Sequence, residues 1–397
     1  METPLEAGTS RPHVALWARL RVARWLWVPL AAFALSRSLL FAVAYVGGAL
    51  LPDDPNAYHL RGTDNLLLDV FASRWDTGFY VSIAEEGYQN EAEPFPSTAF
   101  WPLLPLLMRA LATLTGDVAL AGVLISNAAL LGAMVLLYRL TDAEWGPAVA
   151  ERAVWYLLIF PASLFGSAIY TESLYLLCSI GALALARNRL WESSALLGMA
   201  GALTRLVGIT MMPVLLAEWW RQRRAGDRPP LLGAALVCLV PLGTLAFMLF
   251  LQLRFGDPLA FLRASAAWER EPQSPLALIA ELFRVPPGGW GAALASGRFG
   301  LNEWLDFLTV LLFLGLGLRL LAERRWPEGL LITLGVLLPM SSGLLFSQRR
   351  YMWVLFPAFV LLARWGGQPW VDRVITAVSL AFLALYTVLF ANGYWVA

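Results

Sequence analysis

The chain has 397 residues, of which 59% are hydrophobic and only 14% charged, with a mean hydropathy of +0.63. These values exclude an ordinary soluble domain and indicate an all-α, polytopic membrane protein. A net charge of +1 gives no ground for nucleic-acid binding, and two cysteines with two histidines support neither a disulfide framework nor a Cys/His metal site.

Residues 1–24 hold Arg11, Arg19, Arg21 and Arg24 ahead of a long apolar stretch with no convincing small-residue cleavage site, the pattern of a retained first helix. All 29 basic residues are arginine, which reads as codon bias more readily than as a sign of anionic partners. Apolar windows near 25–50, 117–140, 153–169, 172–187, 193–204, 206–220, 231–252, 303–321, 328–346, 351–364 and 371–392 predict about eleven spans. The short pair flanking Arg205 reads either as a broken pair or as one tilted helix.

Between the first two spans lies an outer loop, 52–116, whose polar part, Pro52 to Thr98, runs into the proline-spaced FWPLLPLLMR. Within it, residues 66–86 space their apolar positions as a helix does (Leu67, Val70, Phe71, Trp75, Phe79, Tyr80, Ile83), which places Asp69 and Asp76 on one face. Residues 100–114 do the same around Pro102 and Pro105, and both segments are predicted as helices lying in the membrane interface. The plain alternative is an amphipathic plug without catalytic duty.

Short loops that collect arginine stay in the cytoplasm. The clusters Arg19/Arg21/Arg24, Arg139/Arg152, Arg187/Arg189, Arg221/Arg223/Arg224/Arg228, Arg324/Arg325 and Arg364/Arg373 then share the cytoplasmic side with the N-terminus. The outer face receives 52–116, the YTES turn at 170–173, the surroundings of Arg205, the loop 254–302 and the turn 347–351. Long loops in a compact protein are usually functional.

Asp76, flanked by Arg74 and Trp75 and followed by Thr77, Gly78, Phe79 and Tyr80, is the candidate general base. A base needs hydrogen-bond reach to an acceptor hydroxyl and a pKa set by burial and neighbouring charge. Against this stand a surface pair with Arg74 or a helix cap. Asp69, Glu85 and Glu86 either assist or are merely solvated. Arg205 between two apolar half-spans is costly unless it is paired or faces a polar cavity; its ligands are anions, or Glu172 is its structural partner. Arg349 or Arg350 could join a phosphate clamp, since guanidinium forks suit phosphate oxygens. Arg37, inside the first span, reads as structural, and Tyr170 and Tyr351 as stacking or hydrogen-bonding groups.

Taken in order, RWDTGFYVSIAEEGY, AFWPLLPLLMR, FPASLFGSAIYTESLY, GALTRLVG, FGDPLAFLRASAAW and QRRYMWVLFP resemble the successive blocks of the PIG-V family over residues 70–360. Its eukaryotic members are the second mannosyltransferases of GPI-anchor synthesis, and its prokaryotic relatives are polytopic glycosyltransferases of the GT-C class. The resemblance implies a GT-C fold in a single membrane domain over 1–397, with 52–116 as a catalytic outer loop holding interfacial helices. It implies a polyprenyl-phosphate sugar donor, typically mannose, and inversion at the anomeric carbon. Asp76 then matches the family's base, Trp75 and Tyr80 its aromatic companions, and Glu172 and Arg205 the blocks around the site. FWPLLP and TRLVG stand where relatives often have FFPLYP and TRPTG, which touches substrate detail and leaves the class intact.

A monophosphodiester donor carries one negative charge, so Arg205 with Arg349 or Arg350 could hold its leaving phosphate and no cofactor or divalent metal is required. The partners implied are the polyprenyl-phosphate-linked sugar, a glycan or glycolipid acceptor and the surrounding membrane lipid, with 254–302 as a lid over the cavity. In a bacterium, the composition and the lack of a retention signal point to the plasma membrane. A secondary transporter or lipid/sugar flippase is the alternative, and a non-catalytic scaffold a third reading.

Overall fold

The structure is a computed structural model that describes residues 23–55, 65–89, 95–268, 273–286, 288–297, 300–343 and 345–396. Arg11, Arg19, Arg21, His13 and His59 lie outside the described residues. Every regular element described is helical. In chain order the helices are α1 (Arg24–Leu50), α2 (Leu66–Ala72), α3 (Thr77–Glu86), α4 (Leu103–Thr115), α5 (Val118–Trp145), α6 (Pro147–Ile159), α7 (Glu172–Arg187), α8 (Trp191–Ala202) and α9 (Met211–Arg224). They continue with α10 (Leu231–Val237), α11 (Leu242–Phe255), α12 (Ala260–Ala264), α13 (Pro275–Leu282), α14 (Gly289–Ala295), α15 (Leu301–Ala322), α16 (Trp326–Met340), α17 (Gln348–Trp353), α18 (Pro357–Trp365) and α19 (Pro369–Ala391).

Among the described residues, α1, α5, the stretch Leu231–Phe255, α15 and α19 are each long and apolar enough to cross a membrane. Large apolar side chains such as Leu35, Leu253 and Leu308 stand exposed on these helices, a surface suited to lipid. The chain is therefore an integral membrane protein. The other expected spans fall on the shorter helices α6 to α9, α16 and α18, because hydropathy windows run through breaks that the backbone makes.

Two of those breaks have clear causes. Helix α6 stops before Pro161, which has no N–H to give. The Leu157 carbonyl accepts instead from Trp353 Nε1 at 2.8 Å, and the Leu158 carbonyl from Arg37 Nη2 at 2.6 Å. Arg37 Nη1 also serves the Ser163 carbonyl at 2.9 Å, so this buried arginine replaces backbone donors that lipid could not supply. The second break separates α8 from α9 and resolves the choice at Arg205 in favour of a broken pair. Arg205 is extended (φ −170°, ψ 156°) and leads into a 3₁₀ turn, Leu206–Thr210. Gly208 allows that turn to press on α8, since a Cβ there would lie 2.2 Å from the Gly201 carbonyl oxygen.

Residues 66–86 do not form the single helix that their spacing predicts. Ser73 Oγ donates to the Asp69 carbonyl at 2.8 Å and to its Oδ1 at 2.7 Å, and Trp75 takes a left-handed backbone (φ 57°). Helices α2 and α3 therefore diverge, and Asp69 and Asp76 do not share a face. With α4 they pack over one end of α5, around Tyr80, Phe100, Leu104 and Ile169.

Helix α7 sets the separation of the molecule's two polar ends. Its 16 residues span about 24 Å, from Glu172 to Arg187. At the far end Arg187 and Arg325 each pair with both Glu144 and Glu328. We expect Gly208→Ala to cost about 3 kcal/mol, the upper end of overpacking, because the obstruction is backbone; a lowered midpoint of thermal unfolding in detergent checks this.

Candidate active site

Four charged residues from four distant segments meet where helices begin. Asp76 precedes α3, and its Oδ2 accepts from Arg350 Nη1 at 2.9 Å. Arg350, on α17, brings Nε to 3.5 Å from Glu172 Oε1. The same oxygen accepts from Arg205 Nη2 at 3.0 Å. Glu172 is the first residue of α7, where the helix dipole favours a negative charge. The order of charges is thus Asp76, Arg350, Glu172, Arg205, two of each sign and in sum neutral.

Burial makes this arrangement consequential. Glu172 is 1% and Arg350 7% exposed, whereas the Asp76 side chain is 22% exposed and opens towards solvent. Buried polar atoms rarely go without partners, yet Glu172 Oε2 and Arg205 Nη1 have none among the described residues. Asp76 Oδ1 likewise receives no hydrogen bond there. These atoms keep hydrogen-bonding capacity beyond the ion pairs.

Aromatic rings enclose the cations. The Arg350 guanidinium lies 5.0 Å from the Tyr170 ring centre, 5.3 Å from Tyr351, 5.5 Å from Phe165 and 5.6 Å from Trp395. Arg205 lies 5.2 Å from Tyr351. At these distances ring quadrupoles attract a cation, more strongly where water is excluded. Tyr80 is buried beside Asp76, Glu172 and Arg205, and its phenol is pushed up by burial first and then by the two carboxylates. Tyr170 is raised well above its ordinary value by burial and then by Asp76. Both phenols therefore stay protonated, and the Tyr170 hydroxyl has no hydrogen-bond partner among the described residues.

Arg74 and Arg349 lie elsewhere. Arg74 pairs with Asp53 at 3.2 Å and Asp69 at 3.4 Å, so neither the surface pair with Asp76 nor a place beside Arg350 describes it. It ties the break between α2 and α3 to the end of α1. Arg349 turns away from its neighbour: its backbone N–H and Nε each reach Asp306 Oδ1 at 2.8 Å, and it also donates to Asn302 at 3.2 Å and to Tyr386. It pins α17 to α15 and α19. Trp75 stands against Trp395, with ring centres 5.0 Å apart. Glu85 and Glu86 are exposed at the end of α3. Trp395 escaped the sequence reading because a tryptophan just past an apolar span looks like an ordinary interface anchor. Among the described residues no three His, Cys, Asp or Glu side chains converge as a metal site would require.

Comparison with known proteins covers part of this site. Residues 56–217 match the family model of PIG-V mannosyltransferases. GPI mannosyltransferase 2 of Cryptococcus neoformans var. neoformans serotype D is 32% identical over 151 residues, 35% of this chain and 34% of the relative. That of Chaetomium globosum is 33% identical over 155 residues, 34% of this chain and 32% of the relative. The chain thus matches about a third of the length of these relatives. Among solved structures, ArnT from Cupriavidus metallidurans bound to undecaprenyl phosphate aligns with a TM-score of 0.48 and 14% identity, over 91% of this chain and 76% of that one. The apo oligosaccharyltransferase of Archaeoglobus fulgidus aligns with a TM-score of 0.46 and 15% identity, over 93% and 56%. The resemblance to the PIG-V family therefore holds over 56–217, which contains Asp76, Glu172 and Arg205; Arg350 lies beyond the matched stretch.

Removing the shared carboxylate leaves two buried guanidinium groups to face each other. Glu172→Leu is expected to destabilise the protein by about 3–5 kcal/mol, the usual effect of breaking a buried pair, and Glu172→Asp by less. Unfolding midpoints of the two variants in one detergent check this order.

Proposed function

We propose, from the likeness of residues 56–217 to PIG-V mannosyltransferases, that this protein transfers a mannosyl group from a polyprenyl-phosphate donor to a hydroxyl of a glycan or glycolipid acceptor. The observation that carries the reading is the chain of ion pairs, in which a partly open carboxylate stands beside buried guanidinium groups with valence to spare.

In this reading Asp76 Oδ1 takes the proton of the acceptor hydroxyl as its oxygen attacks C1 of the sugar. The bond from C1 to the phosphate oxygen breaks, and its electron pair leaves with the polyprenyl phosphate. One in-line displacement inverts the anomeric centre. Charge builds on the departing phosphate, where Arg205 Nη1 and the Arg350 guanidinium supply donors shielded from water. A phosphate that engages Arg350 also draws it from Asp76, which frees the carboxylate as the donor arrives. Glu172 acts as a positioning residue, holding both arginines by one oxygen. The GT-C architecture belongs to the same reading.

The proposed orientation places the site on the extracytoplasmic face. The far end of α7 gathers Arg187 and Arg325, and Arg24 at the start of α1 pairs with Glu151 near the start of α6, just past that cluster. Positive-inside bias puts this end, with the N-terminus, in the cytoplasm.

The test is transfer by purified protein in liposomes, supplied with labelled polyprenyl-phosphate mannose and a lipid extract of the host. Asp76→Asn should lower kcat by about 10²–10⁴-fold with an unchanged unfolding midpoint. Arg205→Met should lower it by about 10²–10³-fold. Equal transfer by Asp76→Asn and wild type would remove the base, and no transfer from any polyprenyl-phosphate sugar would overturn the reading.

A further inference from the structure

Trp395 lies far beyond the stretch 56–217 that resembles PIG-V proteins, and the chain turns back on itself to bring it to the ion-pair site. Helix α19 closes on Gly393, which takes a left-handed backbone (φ 82°). The Gly393 N–H reaches the Phe390 carbonyl at 3.1 Å and the Tyr394 N–H the Leu389 carbonyl at 2.9 Å. This is the pairing by which a left-handed glycine ends a helix and redirects the chain. The Asp54 N–H donates to the Asn392 carbonyl at 2.8 Å, which ties the turn to the residues just past α1, and Val396 is buried.

The ring so delivered touches both sides of the Asp76 and Arg350 pair. Trp75, the residue before Asp76, meets it at 71° with ring centres 5.0 Å apart. The Arg350 guanidinium lies over it at 5.6 Å. Phe346 stacks on it at 5.2 Å and 18°. The indole N–H is buried without a partner among the described residues, so it is ring contacts that hold this side chain in place.

Two features call for such a brace. Trp75 is left-handed (φ 57°), a backbone that a bulky residue keeps only where its surroundings impose it, and this turn sets where Asp76 stands before α3. Arg350 is a long side chain that must meet a carboxylate 274 residues away. A ring packed on Trp75 and lying under Arg350 fixes the two relative to each other. A ring face attracts a cation without neutralising it. The guanidinium thus keeps its charge for a phosphate, which a second carboxylate at the same place would cancel.

We propose that Trp395 is a positioning residue of the transfer site, which sets the Arg350 guanidinium against Asp76 and holds it in place when a lipid phosphate draws it from the carboxylate. The inference rests on the transferase reading for the role of Asp76, but the hold on Arg350 is measured without turnover.

The experiment uses the full chain in detergent micelles and reads binding of a labelled polyprenyl phosphate, with the parent polyprenol, which lacks the phosphate, as reference. Expected is a loss of about tenfold in phosphate affinity for Trp395→Leu, with polyprenol binding held to about twofold and with Trp395→Phe, which keeps a ring face, within about threefold of wild type. In an Arg350→Met background Trp395→Leu should change that affinity by less than about twofold, because its effect runs through the guanidinium. In the transfer assay Trp395→Leu should lower kcat by about 10–100-fold and hold the acceptor KM to about twofold. A side chain that served folding alone would lower the unfolding midpoint and leave kcat per folded molecule unchanged.

The bracing is overturned if Trp395→Leu binds the phosphate as wild type does, or if it costs as much in the Arg350→Met background. It is also overturned if Trp395→Phe is as weak as Trp395→Leu, which would give the effect to the indole N–H. Should Arg350→Met fail to fold, the comparison of Trp395→Leu with Trp395→Phe decides alone. Transfer by wild type and Trp395→Leu alike removes the bracing and leaves the transferase reading. Phosphate binding that depends on the Trp395 ring in a protein that transfers nothing sinks the transferase reading and leaves the bracing.

Discussion

One carboxylate oxygen, Glu172 Oε1, lies against two arginines that are otherwise far apart in the chain. Buried charges left without counter-charges cost several kcal/mol each, so the fold has to bring Arg205, Arg350 and Asp76 to this point together. Several breaks in the helices lie at these charges. Asp76 stands just before α3, Glu172 opens α7, Arg205 precedes a 3₁₀ turn and Arg350 lies in the short α17. All four charges sit at helix ends or in a short helix, and the long apolar helices keep sequences compatible with lipid.

The mutual contacts also explain how different the two arginines of the QRRY turn are. Arg349 and Arg350 are adjacent and equally basic, yet a helical step sends one to Asp306 and the other to Asp76. Sequence proximity offered both for a clamp. Only the partners distinguish them, and Asp306 sits inside an apolar span whose composition gives no hint of which arginine it holds.

Much of the site was legible because its residues are chemically out of place. An aspartate in RWDTGFY and an arginine in GALTRLVG draw attention in a chain with so few charges, and the pairing of Arg205 with Glu172 was one of the two readings open at that stage. What stayed hidden was backbone. The apolar spacing of residues 66–86 is helical on either side of Ser73, and nothing in it announces that Trp75 will turn left-handed and part Asp69 from Asp76. The number of spans was illegible for the same reason: apolar windows register composition, and the breaks at Pro161 and Arg205 lie within apolar sequence. Trp395 was invisible because its partners, Trp75, Phe346 and Arg350, are brought to it only by tertiary packing.

The distance along the chain between Asp76 and Arg350 is 274 residues. Contacts of such long range form late, after the loop between them has been closed. During synthesis, Glu172 and Arg205 can meet as soon as α7 and α8 are in place, but Asp76 meets Arg350 only once α17 follows. The growing chain therefore inserts with this cluster of charges unassembled. Completion of the cluster is therefore set by the insertion of α17, near the end of the chain.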